Sequence, residues 1–261
     1  MLTTPNIPGP DPLPVAPKEL LPAGACDTHA HLFGPQSQYP YQENRSYTPP
    51  DAPEKAYRHL LGTLGFQRAV LIQPSVYGTD NRRMLDTLAN IGDGDDLQWR
   101  GVAVVDRHVS DDELQKMHDL GVRGIRINLV FPGGIQFSDV ESLSERISGL
   151  GWHVQFLVDV STFERLAERL ERLSVPSVID HMGHVPTDKG IDNPGFQSLL
   201  ELLNGGRTWV KLTGPNRTSR RAHAPFADVD PFFQALVASR QDRCLFGTDW
   251  PHVQLPGPMP N

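Results

Sequence analysis

Short apolar runs alternate with amphipathic stretches along most of the chain. The runs cover residues 23–29, 68–73, 100–105, 122–127, 152–158, 177–181, 208–213 and 243–248. They are brief and mostly apolar, as parallel strands are when both faces are covered. The gaps between them place apolar residues at helical spacing. That spacing predicts helices over 53–64, 80–91, 111–119, 140–149, 162–173, 196–204 and 229–239. Pro53 marks the first helix start, and Ser110 with Glu113 reads as a capping box at the third. Phe163, Leu166 and Leu170 fall on core-facing positions of the fifth.

Strand followed by helix, repeated roughly every 25–40 residues, is the βαβ pattern of a parallel α/β fold. Eight such strands favour a TIM-like (β/α)8 barrel. A doubly wound open sheet ranks second, because no GxGxxG loop follows the first strand. Beyond Asp249 the chain reads WPHVQLPGPMPN, too rich in proline to hold a helix. The eighth helix is therefore expected to be missing: the N-terminal arm covers that seam, a partner does, or the chain is truncated after strand eight, which is the preferred reading. The expected organisation is a proline-rich arm over 1–22, a barrel over 23–252 and a proline-rich tail over 253–261.

Composition narrows the function. With 24 basic and 31 acidic residues the net charge is -7, which opposes nucleic acid or an anionic membrane as partner. No apolar run approaches the roughly 18 residues of a membrane span. The N-terminus lacks the basic and apolar regions of a secretory signal. Cys26 and Cys244 are too few for a disulfide scaffold, are expected to be buried and inert, and suit a reducing cytoplasm.

Active sites of such barrels gather at the C-terminal ends of the strands, and four polar clusters fall there. Asp27-Thr28-His29-Ala30-His31 ends the first strand, and alternation sends His29 and His31 to one side. Asp180-His181-Met182-Gly183-His184 follows the sixth strand and Gly247-Thr248-Asp249-Trp250-Pro251-His252 ends the eighth. Arg126 and Asn128 after strand four, with Arg217 after strand seven, supply positive charge and a polar amide. Lys211, mid-strand, suits either the pocket or an ion pair in the barrel floor.

These segments resemble the amidohydrolase superfamily: Cys26–Pro35, Gly121–Asn128, Ile179–Gly183, Trp209–Gly214 and Phe246–His252 carry the likeness in strand order. More narrowly they are similar to its lactonase branch, which holds 2-pyrone-4,6-dicarboxylate lactonase; Tyr47–Pro49 and Gly78–Arg82 fit that branch as well. The resemblance implies a distorted (β/α)8 barrel and a hydrolase opening a cyclic ester. It assigns His29, His31, His181 and Asp249 to the catalytic centre, Arg126 and Arg217 to substrate carboxylates, and Tyr47 and Ser75 to further substrate contacts. Asn128 and His184 complete the expected substrate-binding set. In the pyrone-dicarboxylate enzyme an arginine follows the strand-six histidine and a tyrosine ends strand five. Here those places hold His184 and Phe156-Leu157, which favours a neutral or monoanionic lactone over a dicarboxylate.

In this reading Asp249 takes a proton from water and the histidines stabilise the oxyanion. A single Zn2+ held by His29, His31 and Asp249, with His153 or His181 as a further ligand, is the alternative to the metal-free reading, which is preferred. Strand four ends Arg126-Ile127-Asn128, without the lysine or acid that bridges two metals in other superfamily members. The competing functions are a lactone isomerase or decarboxylase of the same superfamily, or an inactive ligand-binding barrel. A small-molecule lactone is the expected partner; the oligomeric state is left open.

Overall fold

The structure is a computed structural model that describes residues 5–92, 94–130, 137–255 and 259. Eight strands follow one another in sequence order: β1 (Cys26–Ala30), β2 (Arg68–Ile72), β3 (Gln98–Ala103), β4 (Val122–Asn128), β5 (His153–Leu157), β6 (Ser177–Ile179), β7 (Thr208–Leu212) and β8 (Cys244–Phe246). Between them lie α1 (Glu54–Leu64), α2 (Arg82–Ala89), α3 (Asp111–Asp119), α4 (Phe137–Ser148), α5 (Leu166–Glu171), α6 (Pro194–Asn204) and α7 (Asp230–Arg240). This is the TIM-like (β/α)8 fold that the strand count predicted. Among the described residues after β8, which are 247–255 and 259, there is no helix. Residues 1–4 of the arm and 256–258 and 260–261 of the tail lie outside the described residues.

Every predicted strand and helix exists; α3 keeps its predicted bounds and the others shift at one or both ends. The fifth helix is six residues long rather than twelve. The Asp159 carboxylate accepts from the Ser161 amide at 2.9 Å, and Arg165 takes a left-handed φ of 56°. Together they keep the chain turning until Leu166. β6 ends at Ile179, because His181 and Met182 already have φ of 50° and 54°. The Ser110 capping box is formed: its amide donates to the Glu113 carboxylate at 2.8 Å, and the Glu113 amide donates to its hydroxyl at 3.2 Å.

The chain divides into two compact units. The first comprises Met1–Val104, Lys116–Val122 and Gly247–Asn261; the second comprises Val105–Gln115 and Arg123–Phe246. In the first, β1 pairs with β2 through a register shift between Asp27 and Ala30, and β2 pairs with β3 in unbroken register. α1 buries Tyr57 and Leu61. The Tyr57 ring stacks on Trp250 at 5.1 Å and meets Trp99 edge-on at 5.8 Å, so α1 holds the segment after β8 against β1. Residues 5–22 contain no helix or strand and join the unit through a bridge between Asn6 and Thr48.

In the second unit β4 to β8 pair in parallel, with Gly124 opposite His153 and Asn128 opposite Leu157. Ile125, Ile127, Val154, Phe156 and Val210 are fully or almost fully buried. α6 lays Phe196, Leu199 and Leu203 inward, and Phe196 meets Phe232 of α7 edge to face at 4.9 Å. Each such side chain contributes about 1.5–3 kcal/mol of burial free energy. No helix among the described residues is long and apolar enough to cross a membrane. Cys26 and Cys244 are not joined in a disulfide and are half-buried rather than fully buried.

Candidate active site

The first unit gathers three of the expected catalytic residues. His29 and His31 leave the C-terminal end of β1 on one side, their rings edge to face with centroids 5.0 Å apart. Asp249 reaches them from the segment after β8. Its Oδ1 lies 3.7 Å from His29 Nε2 and 3.9 Å from His31 Nε2, and all three side chains are almost fully buried. The His31 Nδ1 lies 2.8 Å from the Ile72 carbonyl oxygen at the end of β2. A carbonyl only accepts, so Nδ1 carries the hydrogen there and Nε2 is the atom presented to Asp249.

Asp249 is held by its neighbours. Its amide donates to the His29 carbonyl at 2.8 Å, and the His31 amide donates to the Trp250 carbonyl at 2.8 Å. Its φ is 61°, a left-handed conformation that costs a non-glycine residue roughly 1–2 kcal/mol. The restraint comes largely from Asp27, which motif reading did not single out. Its Oδ1 accepts from the His29 amide at 3.1 Å and the Thr248 amide at 2.9 Å. Its Oδ2 accepts from the Tyr57 hydroxyl at 2.8 Å and the Thr248 hydroxyl at 2.6 Å. Burial raises the Asp27 pKa despite those four bonds. The available signal was positional: Asp27 shares the strand face of His29.

The donor atoms of His29, His31 and Asp249 lie within 4.8 Å of one another. Two imidazole nitrogens and a carboxylate oxygen at that spacing, with the His31 tautomer fixed from behind, fit one divalent cation. His153, the alternative further ligand, lies at the start of β5, and its ring packs against Gly124. Burial, then the Lys211 charge, lowers its pKa to about 4. Tyr47 is buried in the same unit as His29, whereas Ser75 is exposed in the turn after β2.

The second unit holds the remaining expected residues. His181 is buried, and its Nδ1 lies 2.7 Å from the Thr213 hydroxyl after β7, a partner that sequence reading did not name. Gly214 makes room for that ring: its φ is 60°, and a Cβ there would lie 2.8 Å from His181 Nδ1. The ring centroids of His181 and His184 are 6.1 Å apart. Burial, then the Arg217 charge, lowers the His184 pKa. Arg217 closes the short turn after β7 and is half-buried.

Arg126 is buried, and its Nε and Nη2 both donate to Asp180 Oδ2 at 3.2 Å. Gln155 donates to the same oxygen at 3.2 Å. Lys211 donates to Gln155 Oε1 at 2.8 Å and lies 3.8 Å from Asp180 Oδ1, so it is an interior ion-pair residue. Asn128 turns its Oδ1 to the Val130 amide at 3.1 Å. Asp180, like Asp27, was visible inside a motif without its partners being readable.

Comparison with known proteins follows the same line. A 2-pyrone-4,6-dicarboxylate hydrolase of Comamonas testosteroni is 38% identical over 259 residues, covering 95% of this chain and 83% of that protein. A 4-sulfomuconolactone hydrolase of Hydrogenophaga intermedia is 36% identical, covering 89% of this chain and 76% of that protein. A crystal structure described as a putative 2-pyrone-4,6-dicarboxylic acid hydrolase from Pseudomonas putida superposes with a TM-score of 0.75. It is 35% identical and covers 90% of this chain and 85% of that one. The amidohydrolase family profile matches residues 26–260, and the chain belongs to that family of enzymes.

Proposed function

We propose that the protein hydrolyses a small, anionic lactone by adding water across its acyl C–O bond. The observation that carries this reading is the buried Asp249 carboxylate beside His29 and His31 at the C-terminal end of β1. Asp249 removes a proton from water, and the resulting hydroxide attacks the lactone carbonyl. His29 donates to the oxyanion, His31 joins it when its Nε2 is protonated as well as its Nδ1, and the resemblance assigns His181 as the third donor; one such donor is worth about 2.7–4 kcal/mol of barrier. As the ring C–O bond breaks, Asp249 returns the proton to the departing oxygen. Arg126 and Arg217 hold the substrate's acid group, with Asn128, His184, Tyr47 and Ser75 as further contacts.

The named relatives support the substrate class, since each of the two curated proteins bears the name of a lactone or pyrone hydrolase. A lowered pKa makes His184 a neutral neighbour of Arg217 at physiological pH, which suits one acid group better than two. The reading is metal-independent, because a carboxylate base and imidazole donors suffice for ester hydrolysis. Were a divalent cation held by His29, His31 and Asp249, it would lower the pKa of a bound water to about 7. Two cysteines outside any disulfide suit a reducing cytosol, and lactone opening suits a catabolic role.

Acid release in a pH-stat across carboxylated and neutral lactones tests the proposal, since binding alone releases no acid. The wild-type protein is expected to open a carboxylated lactone and keep its rate after dialysis against a chelator. Asp249→Asn is expected to lose at least 1,000-fold in kcat while melting at an unchanged temperature. Near-normal turnover in that variant would remove Asp249 as the base.

A further inference from the structure

Outside both clusters, Asp228 of the second unit collects donors from two separate loops. It lies two residues before α7 with its side chain 23% exposed. Its Oδ1 accepts from the Ser219 hydroxyl at 2.6 Å. Its Oδ2 accepts from the Thr187 hydroxyl at 2.6 Å and the Arg220 amide at 2.8 Å. Arg221 Nε stands 3.7 Å from Oδ1. Beside the carboxylate, the Thr187 amide donates to the Thr218 carbonyl at 3.0 Å, and Arg220 Nη1 lies 3.7 Å from Asp188.

These donors flank residues already met. Thr187 follows His184 by three positions in the loop after β6, and Ser219 follows Arg217 by two in the loop after β7. The loop after β6 holds two short 3-10 turns, His181–His184 and Thr187–Lys189, and the loop after β7 holds one, Pro215–Arg217, so a shared anchor tying the two loops bears on their spacing. A carboxylate is the right anchor. It only accepts, offers about four lone-pair sites, and forms charge-assisted bonds about twice as strong as neutral ones. Burial opposes the charge, but the bonds from Ser219, Thr187 and Arg220 outweigh it and hold the carboxyl at about 2. An amide in its place turns an N–H toward at least one of those donors.

We propose that Asp228 is a positioning residue: a carboxylate clasp that fixes Arg217 relative to His184 and so sets affinity for the substrate's acid group without touching it. The proposal rests on the reading of Arg217 and His184 as substrate-binding residues. Because the clasp does not reach the reacting atoms, its loss falls on KM rather than kcat.

The test compares a butenolide bearing one carboxylate with its methyl ester, in the wild-type protein and in Asp228→Asn. Asp228→Asn is expected to raise KM for the carboxylated lactone at least tenfold. Its kcat, and KM for the ester, are expected to stay within twofold. Ser219→Ala and Thr187→Val each remove one donor and are expected to raise that KM about threefold, which keeps the test usable if Asp228→Asn does not fold. An unchanged KM, an equal rise for both lactones, or a loss confined to kcat overturns the proposal. If the wild-type protein opens neither lactone, the hydrolase reading fails by itself. Calorimetric binding of the carboxylated lactone then judges the clasp: at least tenfold weaker binding in Asp228→Asn supports it. Equal binding, or none by the wild-type protein, overturns it.

Discussion

Asp27 shows how much of the first cluster depends on one buried carboxylate. Four donors converge on it, two of them from Thr248, the residue beside Asp249. Asp27→Asn replaces one acceptor oxygen with an N–H group and leaves a buried donor facing a donor, a cost of about 2–4 kcal/mol. Urea denaturation should show a lower midpoint at an unchanged slope, and an unchanged midpoint would contradict the clamp. The paired histidines and Asp249 were legible at residue level because strand alternation and strand ends fix where such side chains go. The roles of Asp27, Thr213 and Asp180 were not, since each is defined by partners 25 or more residues away.

At the scale of elements, local chemistry and tertiary packing divide the work. The α3 start was readable because Ser110 and Glu113 satisfy each other's orphan groups within three residues. The same physics makes Asn193 the cap of α6, its Oδ1 accepting from the Gly195 amide at 2.9 Å and the Phe196 amide at 3.3 Å. Asn193→Ala should cost about 1 kcal/mol and lower the melting temperature by a few degrees. A neutral result would mean that packing of Phe196 alone fixes this helix start. The α5 start was not readable, because the apolar spacing of 162–173 continues through residues that the Asp159 turn and Arg165 keep out of the helix.

For the molecule as a whole, the buried titratable groups set a pH dependence. His153 has a folded pKa of about 4 against an ordinary value of 6.5. Between those values the unfolded chain binds the proton and the folded one does not, so stability rises with pH. The contribution is complete above about pH 6.5 and is lost as pH falls towards 4, amounting to about 3 kcal/mol. Urea midpoints measured at pH 7.5 and pH 5 should differ less in His153→Gln than in the wild-type protein. An equal pH difference in both would assign the acid sensitivity to other groups.

The fold class, the strand sequence and the identities of the paired histidines and Asp249 came from the chain alone. Hydrophobic period and strand-end position are local properties, written in a few consecutive residues. Tertiary structure alone decided the partners: Asp27 with Thr248, His181 with Thr213, Lys211 with Gln155 and Asp180, and Asp228 with two loops. It also decided the left-handed backbone at His181, His184 and Asp249. A buried polar group must find its complement wherever the fold brings one within about 3 Å, and no spacing along the chain encodes that meeting.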